Sequence, residues 1–244
     1  MRRIWGRSDV ILFIFAGASA EFALNKAVDW LYFTGKLPSD PLGRLFSTVS
    51  YARDIVFSAR QHAHETIDRI RDIHQAVEQA RGDLIPDWAY RDVLFMLIYY
   101  SMAAFELLER KMSREEKEEL FRVFSRVGKR MGLEDLPGDF TEWLDARELH
   151  LARDLTNSEY TLDLFKQYRK HLGAARYRML IEAQKLVVPS RVSSLLGFCG
   201  LHWMRPLVPV YRLSRKMKLD DLIKDLLLPS AYKTQIKSLD ISAP

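Results

Sequence analysis

The chain has 244 residues, 48% of them hydrophobic and 28% charged, with a formal net charge of +5. A chain of this size buries a core without crosslinks, and its composition is that of a folded protein rather than a disordered or fibrous one. The single cysteine, Cys199, excludes an intrachain disulfide.

At the N-terminus, Arg2 and Arg3 precede an apolar run from Val10 to Ala16, and Ala18-Ser19-Ala20 has the form of a leader cleavage site. The amphipathic pattern continues past Ala20 through Phe22, Leu24, Val28, Trp30 and Leu31, so the segment is read as a first helix. Asp40-Pro41-Leu42-Gly43 is turn chemistry that starts a second helix. On it Arg44 and Thr48 stand one turn apart on one face, beside Leu45, Val49 and Ala52. An arginine and a hydroxyl together can hold an anion or polarise a bound ligand. An arginine snorkelling at a helix start fits the same pattern.

Ser58-x-x-Gln61 reads as a capping box whose helix runs to Arg81 and stops at Gly82. Pro86 and Asp87 introduce a helix from Trp88 to Arg110, and Ser113-x-x-Glu116 opens one that ends at Met131 before Gly132. Further helices are expected over Asp139–Leu155, Ser158–Leu172, Ala174–Val188 and Arg191–Trp203, with a short one over Asp220–Leu228 closed by Pro229. Apolar residues recur at three and four, as in Leu120, Phe124, Val127 and Met131, and strand alternation and linkers are absent. The expectation is one all-α, multi-helix globular domain over residues 1–244. The longest uncharged runs, Val93–Phe105 and Val192–Met204, have 13 residues each, short of the ~20 that a bilayer span needs.

Basic residues gather at Arg2, Arg3 and Arg7 and again at Arg205, Arg212, Arg215, Lys216 and Lys218. Such patches attract anionic lipid or phosphate, or simply keep a protein soluble. Without interleaved aromatics or a recognisable motif they do not point to nucleic acid. A cytoplasmic protein is expected, with peripheral membrane contact as an option.

Ile67, Ile70, His74 and Val77 share one helix face, which turns His74 toward the core. A buried imidazole must hydrogen-bond or bind a metal, and both outcomes fit. His62 and His64 point about 200° apart on a helix and should face solvent. His150, His171 and His202 receive no role, and Cys199 is expected in the core. Zinc-helix, di-iron, hydrolase-elbow, phosphate-loop and dinucleotide motifs are absent.

In order, Asp40-Pro41-Leu42-Gly43-Arg44-x3-Thr48, Ile70-Arg71-Asp72-Ile73-His74-Gln75-Ala76-Val77, the apolar helix near Trp88–Glu109, Met112-Ser113-x2-Glu116 and Val127-Gly128-x3-Gly132-Leu133 resemble the family of the latex clearing protein (rubber oxygenase) and the oxygenase MpaB. The likeness covers residues 8–150 most closely. It implies a helical protein with haem b in a pocket between helices, cleaving carbon–carbon double bonds of isoprenoid-like, lipophilic molecules with dioxygen. By the same resemblance His74 matches the proximal iron ligand, and Arg44 and Thr48 match distal-pocket positions. Ser47 stands where the rubber oxygenase has a lysine, and no position aligns with the family's general-base glutamate, for which Asp29 and Glu21 are the acids offered. A non-catalytic haem- or lipid-binding protein at a membrane surface is the alternative.

Overall fold

The computed structural model describes residues 1–35, 39–200 and 202–216; for residues 41, 42, 44–46 and 216 it gives the backbone alone. The described residues form α1 (Arg2–Trp5), α2 (Ser8–Phe22), α3 (Asp29–Phe33), α4 (Pro41–Phe57), α5 (Arg60–Arg81), α6 (Asp87–Leu108), α7 (Arg114–Met131), α8 (Phe140–Arg153), α9 (Glu159–Val187), α10 (Ser190–Leu195) and α11 (Leu207–Lys216). No strand occurs among them, only an isolated bridge between Asn25 and Leu155. The fold is all-α, and no described helix is long and apolar enough to cross a membrane.

Two helices form the interior because their sequences leave them no polar face. In α2, Val10, Ile11, Ile14, Phe15, Ala16 and Ala20 are all buried, and in α6 so are Leu94, Phe95, Met96, Ile98, Tyr100, Met102 and Phe105. Helices apolar on every side are stable only when others surround them. α2 packs on α6 more extensively than any other pair, α9 lies against both, and α7 and α8 close a further side of α6. Trp143 of α8, fully buried, stacks on Phe140 with ring centroids 5.3 Å apart. The amphipathic α7 lends the same core Leu120, Phe121 and Phe124.

Several helix ends match the sequence signals. Ser113 accepts from Glu116 N while the Glu116 carboxylate accepts from Ser113 N, the reciprocal capping expected there. Gly82 and Gly132 end α5 and α7 with φ of 72° and 90°, a left-handed conformation open to glycine at little cost.

Others differ. Ser58 does not start α5; it ends α4, its N–H donating to Asp54 O, and Ala59 is the N-cap of α5 without a side-chain acceptor. Only two residues separate the helices, so Ser58 is held by the first, and the Gln61 amide donates one turn onward to Glu65. The expected break between Leu172 and Ala174 is a kink at Gly173 inside one long α9. The helix expected over Arg191–Trp203 stops at Leu195, where Gly197 and Gly200 turn left-handed with φ of 63° and 90°. Cys199 is therefore exposed rather than in the core. The expected helix at Asp220–Leu228 lies outside the described residues.

The closeness of the central pair rests on Gly17. A Cβ there would stand 2.2 Å from the Tyr100 ring and 2.9 Å from Val187. Alanine is ordinarily the better helix residue by ~1 kcal/mol. In Gly17→Ala the clash should reverse that sign and lower unfolding stability by about 1–3 kcal/mol, read by urea denaturation; an unchanged or raised midpoint would count against this packing.

Candidate functional site

Two groups of polar side chains are organised by this scaffold. The first lies on the packed pair α4 and α5. Asp40 caps α4, its Oδ1 accepting from Gly43 N at 2.9 Å, with Pro41 as the first helical residue. A Cβ on Gly43 would lie 2.1 Å from the folded-back Asp40 carboxylate, so a larger residue there would make the cap side chain shift. Arg44 and Thr48 follow on α4 one turn apart; Thr48 is exposed, and the Arg44 side chain is outside the described atoms.

His74 lies on α5 and is half-buried, not fully in the core as its stripe suggested. Ile70 and Val77 beside it are half-buried too, and Ile73 is exposed. Of the buried residues of α5, Ala63, Thr66 and Ile67 all precede them, and Val77 packs, partly buried, against the cluster of Ala27, Trp30 and Ala89. The His74 Nδ1 is shielded from solvent, and its ring meets the Tyr90 ring edge-on at 5.3 Å. Tyr90 is held there by Glu78, one turn beyond His74, whose Oε1 accepts from the phenol at 3.1 Å and from Ile85 N at 3.0 Å. Burial, then that hydrogen bond, pushes the Tyr90 phenol well above its ordinary value. Asp29 is engaged by Arg81, 2.7 Å away, and the guanidinium also lies over Trp30.

The second group fills a seam between α2, α6 and α8. Glu21 and Arg147 form a bidentate pair at 2.5 Å on both arms, each almost wholly buried, and Tyr100 donates to Glu21 Oε2 at 2.8 Å. Burial opposes the Arg147 charge, but the Glu21 carboxylate outweighs it and raises the guanidinium's pKa. Burial and then Glu21 likewise push the Tyr100 phenol well above its ordinary value. Both oxygens of Glu21 are thus committed, which leaves it unsuited to act as a base.

One turn along α8, His150 Nδ1 contacts Asp92 Oδ1 and lies 3.3 Å from Asp154 Oδ2. Asn25 donates to the other Asp92 oxygen at 2.7 Å, and Arg153 reaches both oxygens of Asp154. The Asn25–Leu155 bridge locks the loop after α2 to the end of α8, with Lys26 N donating to Asp154 O and Thr156 N to Leu24 O. Asp92, His150 and Asp154 are all buried, and their facing donor atoms lie within 4.8 Å of one another. Among the described residues these donors converge closely enough to hold a metal ion.

Sequence reasoning left His150 without a role. The spacing His150-x3-Asp154 did place two polar groups on one helix face. Asp92 could not be joined to them, because it is 58 residues away from His150 in the chain. His62 is exposed and His64 half-buried.

A family model described as "ER-bound oxygenase mpaB/B'/Rubber oxygenase, catalytic domain" matches residues 2–219. No curated protein and no solved structure matches the chain.

Because Glu21 and Arg147 are buried together, removing one should strand the other's charge. Arg147→Met should cost about 3–5 kcal/mol in denaturant unfolding, and the double variant Glu21→Leu/Arg147→Met should recover part of it. A single-variant cost near zero would show that water solvates Glu21.

Proposed function

We propose, from the premise that this chain belongs to the mpaB/rubber oxygenase catalytic-domain family, that it is a haem b oxygenase acting with dioxygen on an unsaturated, lipophilic, isoprenoid-like small molecule. The observation that carries the reading is His74. A neutral imidazole is a nitrogen donor of the kind iron takes, and this one is half-buried on a helix whose neighbouring apolar residues remain partly open. The donor chemistry therefore fits the cofactor that the family implies.

His74 would hold the iron, and Glu78 would act through Tyr90 to fix the plane of the imidazole, since it anchors the ring packed against it. When bound, haem b would supply the redox chemistry that makes dioxygen reactive toward a carbon–carbon double bond. Arg44 and Thr48 would supply a charge-assisted and a neutral hydrogen bond to polar groups beside the cofactor, orienting them and favouring developing negative charge. Ser47 provides no amine where the rubber oxygenase has one, so a nitrogen ligand from that position is excluded. Ile70, Ile73 and Val77 would give an apolar substrate surface to bury.

Chain reconstituted with haem should show a Soret band and a haem b pyridine haemochrome, and His74→Ala should lose most of both. Arg44→Ala should retain its haem but change cyanide affinity by roughly ten- to a hundredfold, the range of one charge-assisted hydrogen bond. A wild type that acquires no Soret band would overturn the reading.

A second reading, a haem- or lipid-binding protein at a membrane surface, is favoured by α11. Arg212 and Arg215 donate to carbonyls at the end of α6, and Tyr211 donates to Asp9. That anchoring leaves Leu207, Val210 and Leu213 exposed. Oxygen uptake with polyene substrates separates the two readings: a haem-loaded chain that only autoxidises slowly belongs to the second.

A further inference from the structure

The Asp92–His150–Asp154 group lies apart from anything the proposed oxygenase chemistry uses. We infer that it is a binding site for one divalent first-row transition-metal ion, independent of haem, ligated by one oxygen of each aspartate and by His150 Nδ1.

The argument begins with what faces what. The three side chains are 2%, 7% and 4% exposed, so bulk water does not solvate them. Enclosing two carboxylates carries a large desolvation cost, which pairing must offset. Asp92 Oδ2 accepts from the Asn25 amide, whereas Arg153 donates to both oxygens of Asp154, so that Asp154 Oδ2 has its second lone pair left for an inward partner. Asp92 Oδ1 and Asp154 Oδ2 turn inward to the same ring nitrogen. One imidazole proton cannot serve two carboxylates equally, whereas one cation can bind all three donors at once.

The spacing suits an ion of this class. Donors bound at about 2.1 Å stand roughly 3.0–3.5 Å apart around a tetrahedral or octahedral centre. His150 Nδ1 and Asp154 Oδ2, 3.3 Å apart, already have that separation. The Asp92–His150 contact would open to admit the ion. Two carboxylates and an imidazole suit Mn²⁺, Fe²⁺, Co²⁺ or Zn²⁺ better than Ca²⁺ or Mg²⁺, which prefer all-oxygen shells.

The support around the group is that of a coordination site. Asn25 holds the Asp92 carboxylate from behind, and Arg153 spans both oxygens of Asp154, as outer partners orient metal ligands. The donors come from α6, from α8 and from the residue that ends α8, and the Asn25–Leu155 bridge fixes that last position. Nothing in this depends on His74.

The 244-residue chain, stripped with EDTA and free of haem, should be titrated with Co²⁺ followed by visible absorption, and with Mn²⁺ and Zn²⁺ by calorimetry. The inference expects about one equivalent bound, Co²⁺ bands of a nitrogen–oxygen site, and a thermal midpoint raised by the ion. Asp92→Asn should weaken binding by roughly a hundredfold or more, and Asn25→Ala by about ten- to a hundredfold while leaving every ligand in place. The surface variant His62→Ala/His64→Ala and the haem-site variant His74→Ala should both bind the ion as wild type does. Failure of the wild type to bind any of the three ions would overturn the inference, whatever the variants do. So would binding that survives unchanged in Asp92→Asn or disappears in His62→Ala/His64→Ala.

Discussion

The rest of this structure depends on one buried ion pair. Glu21 of α2 and Arg147 of α8 meet through both arms of the guanidinium, in the wall of the central α2–α6 packing. Such a pair adds little stability over well-packed apolar residues. Its effect is geometric, because a planar fork matches a carboxylate at only one depth and rotation. That match sets α8 against α2, and Tyr100 brings in α6 through the same carboxylate. Arg147 and His150 lie three residues apart, on one face of α8. The rotation that delivers Arg147 to Glu21 therefore also delivers His150 to Asp92, and the second polar group exists because of the first.

The interior and the α4–α5 pair follow different physics. Around α2 and α6, close packing leaves no freedom: Gly17 has no side chain because the Tyr100 ring occupies the space. The fully buried residues of α5 lie in its first turns, its far end is tied by Glu78 and Arg81, and Ile70, Ile73 and His74 between them remain partly open. A helix tied at both ends and incompletely covered between them leaves area for a ligand to bury. This is why the proposed haem position lies there rather than in the seam, where the packed helices close in Glu21, Asp92, His150 and Asp154. The packed interior keeps the helices in register, and the incompletely covered edge is where the proposed cofactor and substrate would bind.

Much of this was determined by the sequence alone. Three- and four-residue periodicity without strand alternation dictates an all-α chain, because backbone geometry ties each period to one kind of element. Ser113-x-x-Glu116, Asp40-Pro41-x-Gly43, Gly82 and Gly132 mark their helix ends because capping is settled within a turn of chain. His74 stood out by its place on an apolar stripe and by the order of motifs around it. Other features were decided only by tertiary structure. Whether a stripe is covered depends on what the rest of the chain lays over it, so His74 is half-buried where its spacing alone suggested burial. Ser58 carries a capping signature that goes unused because the preceding helix claims it first. The seam was the least legible part: 126 residues separate Glu21 from Arg147 and 58 separate Asp92 from His150. Local spacing sorts side chains onto faces of one helix, but which faces meet is fixed only when three helices pack together, and there the buried charges found their counterparts.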